Sequence, residues 1–241
     1  MKLTFCSNIF AGENMETHID ELQTHLSQMN PRRLGLKHLG LRLSRSMVQE
    51  LFDSKALQKR LGGLLADFDM VISTVNLFPM GVFHGQRVKD QVYLPDWSSS
   101  ERLEYTLQAA QVLAELPTTE RVSLSTVPLG YKGHYDHYRP ELFFEPLLTT
   151  AQELRRLGQS CGQSFLLALE PEPDCLLEST SDTVDFFQRL LDHPHPLPRK
   201  RRSETLGVCL DTCHFAVNFE SPAQALRTFS QKGVSVFKIQ L

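Results

Sequence analysis

Short apolar strands alternate with amphipathic helical stretches along almost the whole of this chain, and that alternation limits the folds open to it more than any other feature. The candidate strands are residues 3–8, 37–43, 69–77, 121–128, 164–170, 206–211 and 234–241. Helical patterns occupy 14–29, 44–66, 101–116, 138–160, 180–193 and 221–232. Strands separated by helices of this length pair in parallel, because the chain must cross over before it can add a neighbour in the same direction. Seven strands in this order predict an α/β protein of the TIM (β/α)8 barrel type rather than an open sheet. The 241 residues suffice for one such domain, 1–241. The pattern stops on the seventh strand, so the expectation is a barrel truncated after strand seven, with the eighth βα unit missing.

Within the strands, alternation separates two faces. In 165-FLLALEPEP-173, Leu167 and Leu169 point one way and Ala168 and Glu170 the other. In 206-LGVCLDTCH-214, Val208 and Leu210 oppose Cys209 and Asp211. In 234-VSVFKIQL-241, Phe237, Ile239 and Leu241 oppose Lys238 and Gln240. The large apolar side chains would meet the helices; the small and polar ones would face the barrel interior. The same parity turns Thr4, Cys6 and Asn8, then Gly40 and Arg42, then Thr74 and Asn76, then Ser123 and Ser125 inward. A barrel serving only as scaffold would fill these layers with branched aliphatics. Polar groups buried there cost stability unless a ligand, water or each other satisfies them. A ligand pocket at the C-terminal mouth is therefore expected, ringed by Asn8, Arg42, Asn76, Glu170, Asp211 and Gln240.

The chemistry of that ring points to a hard divalent cation, Mn, Mg or Zn. Glu170 and Asp211 supply carboxylates, and Gln240 an amide oxygen. His214, three residues beyond Asp211, could add an imidazole or hold a substrate hydroxyl. Each has a plain structural alternative. Glu170 could pair with Lys238 or Arg42, Asp211 could cap the turn after its strand, and His214 could be a rim histidine. Glu172, between two prolines, belongs to the rim or supports the site. Two long loops follow strands three and four, over residues 78–99 and 128–138. Both belong on the catalytic face, where His84, beside Gly85, would approach a ligand and Tyr131 would join it. The basic run in 193-HPHPLPRKRRSE-204 joins a helix to a strand on the opposite face and reads as a solvated loop.

Composition narrows the function. A net charge of −3 gives no electrostatic case for a nucleic-acid partner. No apolar run reaches membrane-spanning length, and the N-terminus lacks a signal-peptide pattern. Five cysteines, odd in number and mostly in strands, fit a reducing cytoplasm. A small-molecule metabolite is the expected partner, and the oligomeric state is open.

The strand ending in LEPEP followed by LDTCH resembles the xylose isomerase-like TIM-barrel superfamily, which holds sugar epimerases and endonuclease IV-type enzymes. Within it the chain is similar to the family called metabolite traffic protein EboE, through 83-FHGQRVKDQVYLPDW-97, 125-STVPLGYK-132, 169-LEPEPDCLLEST-180, 207-GVCLDTCHFAVNFE-220 and 238-KIQL-241. That family is associated with export or processing of secondary metabolites. The resemblance implies a metal site in which Glu170 matches a glutamate ligand and Asp211 an aspartate ligand. It implies that His214 contacts substrate and that Gln240 stands where a metal-binding histidine usually stands, with a further glutamate ligand beyond Leu241. The expected activity is that of a divalent-metal-dependent isomerase or epimerase with Glu170 as proton-transfer base. A non-catalytic metabolite-binding accessory protein is the alternative; phosphodiester cleavage of the endonuclease IV kind would need more histidines than these strand ends hold.

Overall fold

The computed structural model describes residues 2–10, 12, 14–80 and 91–241. Seven strands form one parallel sheet in chain order: β1 Phe5–Cys6, β2 His38–Arg42, β3 Val71–Asn76, β4 Thr118–Thr126, β5 Ser164–Leu169, β6 Leu206–Asp211 and β7 Val236–Gln240. Each pairs only with its sequence neighbours, so the sheet winds steadily as a TIM barrel does. The helices are α1 Met15–Met29, α2 Pro31–Leu34, α3 Arg45–Asp53, α4 Lys55–Asp67, α5 Ser100–Leu113, α6 Phe144–Cys161, α7 Thr180–Asp192, α8 Arg199–Thr205, α9 Thr212–Val217 and α10 Pro222–Gln231. Outward strand residues such as Leu39, Leu41, Val75, Leu124, Leu167, Val208 and Leu210 are fully buried against this layer. Among the described residues no helix is long and apolar enough to cross a membrane.

Local chemistry explains the boundaries. Asn14 accepts from the Thr17 amide to start α1, and Ser179 with Asp182 forms a reciprocal capping box at α7. The helix expected over 44–66 is two helices. Ser54 takes extended backbone, ends α3 and caps α4 through its hydroxyl on the Leu57 amide. The basic run 199–202 is not a loop. It opens α8 after Pro198, and Arg202 is buried, donating to the Leu190 and His193 carbonyls. The first strand is shorter than expected, because Ser7–Ile9 turn into a 3-10 helix. The Ser7 hydroxyl is fully buried between the His18 ring and the Arg42 amide.

The β6–β7 pairing carries an irregularity between Val208 and Cys209, after which Cys209 faces Lys238 and Asp211 faces Gln240. Phe237, expected to cover the helices, instead lies against Gly207. A methyl group at Gly207 would come within 2.5 Å of the Ser235 carbonyl and 2.7 Å of the Phe237 ring. The close approach of these two strands therefore requires glycine. Gly207→Ala is expected to lose about 1–3 kcal/mol of stability through overpacking. Urea unfolding measures this, and an unchanged midpoint would show that β7 shifts freely.

Candidate functional site

The carboxylates at the ends of β5 and β6 converge. Glu170 and Asp211 are 7% and 6% exposed. The Gln240 amide on β7 sits between them, its Nε2 donating to Asp211 Oδ2 at 2.7 Å and to Glu170 Oε1 at 3.4 Å. The Gln240 Oε1 is buried with no partner. Asp211 divides its work: Oδ1 accepts from the Cys213 amide at 2.8 Å and starts α9, while Oδ2 faces the site.

His214 lies one helical step from Asp211. Its Nδ1 sits 3.0 Å from the Pro171 carbonyl oxygen, an acceptor only, so Nδ1 carries the proton. That leaves the Nε2 lone pair aimed inward, 4.0 Å from both Asp211 Oδ2 and Glu172 Oε1. A histidine oriented through a backbone carbonyl is the usual support of a metal-binding imidazole. Ligand atoms of Glu170, Asp211 and His214 lie within 4.8 Å of one another, which suits a single cation. The chemistry fits as well: two carboxylates, an imidazole nitrogen and an unpartnered amide oxygen.

Burial raises the Glu170 pKa, opposed first by the charge of Lys238 and then by His214, with Asp211 adding to the rise. Glu172 is raised by burial too, against His214 and a hydrogen bond with Tyr93. The Tyr93 hydroxyl also meets the Cys175 thiol. Tyr93 comes from the loop after β3 and is held in a stack, 5.5 Å from the Phe78 ring and 5.6 Å from Tyr131. The loops after β3 and β4 thus meet the strand-five rim, as their length and position suggested for Tyr131. His84 lies outside the described residues. The Tyr93–Glu172 contact is tertiary and has no local signature.

The other ring residues divide. Asn76 lies opposite Arg42 in the β2–β3 register, and its Oδ1 is 3.3 Å from the Ser125 hydroxyl. Arg42 is buried at the end of β2, but its guanidinium turns toward the segment after β1, donating to the Gly12 carbonyl at 2.8 Å. Asn8 stands past the end of β1 with a buried, unpartnered Oδ1. Contacts therefore join Glu170, Asp211, Gln240 and His214 into one cluster, with Asn8, Arg42 and Asn76 on the β1–β3 side.

No family model and no curated protein matches the chain. Solved structures do. A D-tagatose 3-epimerase-like protein superposes with TM-score 0.61 at 16% identity, over 99% of this chain and 75% of that one. The IOLI protein with a bound zinc atom gives 0.59 at 15%, over 99% and 72%. A xylose isomerase domain protein from Planctomyces limnophilus gives 0.57 at 12%, over 99% and 72%. The fold is the xylose isomerase-like TIM barrel. At these identities the likeness concerns the fold, and the site must be argued from its own side chains.

Beneath Arg42, burial and then the Arg42 charge lower the His18 pKa from the usual 6.5 to about 4. A depressed histidine is neutral in the folded state, so protonation favours unfolding. The stability it contributes is complete above pH 6.5 and is lost as pH falls toward about 4. The loss should not exceed about 3 kcal/mol. In His18→Leu the fall in urea midpoint over this window should be smaller than in the wild type; an equal fall would assign it to other groups.

Proposed function

We propose that this site binds a divalent cation and serves a metal-dependent isomerase or epimerase of a small polyhydroxylated or carbonyl metabolite, within the metabolite-processing role that the EboE resemblance suggests. The observation that supports it most is the Glu170–Asp211–His214 cluster, with the Gln240 carbonyl oxygen unpartnered beside it. Glu170, Asp211 and His214 would hold the ion, and turning the Gln240 amide would offer its oxygen as a fourth donor. When bound, such an ion polarises the substrate's oxygens and makes the adjacent C–H more acidic.

The chain's own groups do the rest. Glu170, raised by burial, is suited to accept a proton from the carbon beside a carbonyl and return it. Glu172, held by Tyr93 and facing the same His214 nitrogen, is the next carboxyl able to deliver a proton from another side. Asn8, Arg42, Asn76 and His84 remain candidates for substrate hydroxyls. Fold neighbours that include a D-tagatose 3-epimerase-like protein and a zinc-bound protein support the reading at the level of fold.

One observation favours a second reading. The Gln240 amide satisfies both carboxylates without a metal, and Lys238 supplies a positive charge nearby. A metal-free metabolite-binding accessory protein would use that arrangement as it stands.

Isothermal titration with Mn²⁺ and Zn²⁺ separates the two. The metal reading predicts one ion per chain, a raised melting temperature on binding, and at least a tenfold loss of affinity in Asp211→Asn. A melting temperature indifferent to metal and chelator would leave the accessory reading.

A further inference from the structure

Lys238 is the one lysine on the inward face of β7, one position below Gln240 in the side-chain alternation. Its Nζ reaches across the barrel and donates to the Ser125 hydroxyl on β4 at 3.1 Å. Ser125 is fully buried and lies 3.3 Å from Asn76 Oδ1. The ammonium is thus held inside the barrel by neutral groups and makes no direct ion pair with Glu170. It still acts on that carboxylate through space as the largest influence opposing its burial. The buried Cys209 thiol, opposite Lys238 in the β6–β7 register, feels the same charge.

An internal cation at that place has a consequence for metal binding. Two buried carboxylates repel each other and need positive charge. Lys238 supplies one unit permanently, and a divalent ion in the Glu170–Asp211–His214 cluster would supply two more in the same low-dielectric space. We propose that Lys238 is a resident counter-cation that sets the affinity of the site for divalent metal, holding the carboxylates together in the metal-free protein and repelling the incoming ion, so that metal is bound reversibly rather than locked in. The inference rests on the metal reading above and adds the residue that tunes it. Ser125 is the positioning partner, because its hydroxyl fixes where the charge sits.

The test is Mn²⁺ titration calorimetry, with no substrate, on wild type, Lys238→Met, Lys238→Gln and Lys238→Arg, together with melting curves in chelator. Lys238→Met removes the charge, and Lys238→Gln removes it while keeping a donor for Ser125, so one folded neutral variant suffices. Removing the charge predicts at least tenfold tighter Mn²⁺ binding in either neutral variant. Lys238→Arg should stay within about twofold of wild type. The metal-free neutral variants should melt below wild type at neutral pH and recover most of the difference when Mn²⁺ is added. Equal affinities in wild type and neutral variants overturn the role of Lys238 while leaving the metal site intact, as does weaker binding without the charge. Binding in the neutral variants alone supports it. No binding in any variant overturns both this inference and the metal reading.

Discussion

Glu170 and Asp211 are buried side by side at the ends of two neighbouring parallel strands, and much of the surrounding structure keeps those two like charges within reach of each other. In isolation such a pair would take up a proton or push the strand ends apart. Here three of the four oxygens have a partner. One Asp211 oxygen caps α9, and the other shares the Gln240 amide with Glu170. Lys238 supplies positive charge from a further direction. The glycine contact between β6 and β7 brings Gln240 to that place, because the strands could not approach as closely around a larger residue at Gly207.

The wall of the mouth is built from three loops fastened to one another. The Tyr135 hydroxyl bonds Asp96, the Trp97 amide donates to the Leu129 carbonyl at 3.0 Å, and Lys132 pairs with Glu178. Tyr131 bridges to Cys175 through the backbone. These ties hold the Phe78–Tyr93–Tyr131 stack and so place the Tyr93 hydroxyl on Glu172.

Much of this could be read along the chain because the deciding pattern is short in range. A period of two is a local property, and it assigned Glu170, Asp211, Lys238 and Gln240 to one face before any contact was known. Where a second constraint intervened, alternation misled. The pairing irregularity at Val208–Cys209 moved Phe237 onto Gly207. Arg42 has the inward parity, and alternation does not say where so long a side chain ends, here at the Gly12 carbonyl. The 199–202 run read as a solvated loop because charge density hides a helix whose buried arginine finds carbonyls far along the chain. The split at Ser54 was hidden because both halves keep helical spacing, and the cap is a single hydroxyl. The Tyr93–Glu172 contact and the reach of Lys238 to Ser125 depend on the curl of the sheet, which no local pattern contains.

The central claim is that the carboxylate pair forms a cation site together with His214 Nε2. Crystals soaked in Mn²⁺ and measured at an anomalous wavelength test it directly. The account predicts one anomalous peak bounded by Glu170, Asp211 and His214, with the Gln240 amide turned so that its oxygen faces the ion. A peak elsewhere, or none at this place while the Gln240 nitrogen still bridges the two carboxylates, would contradict it.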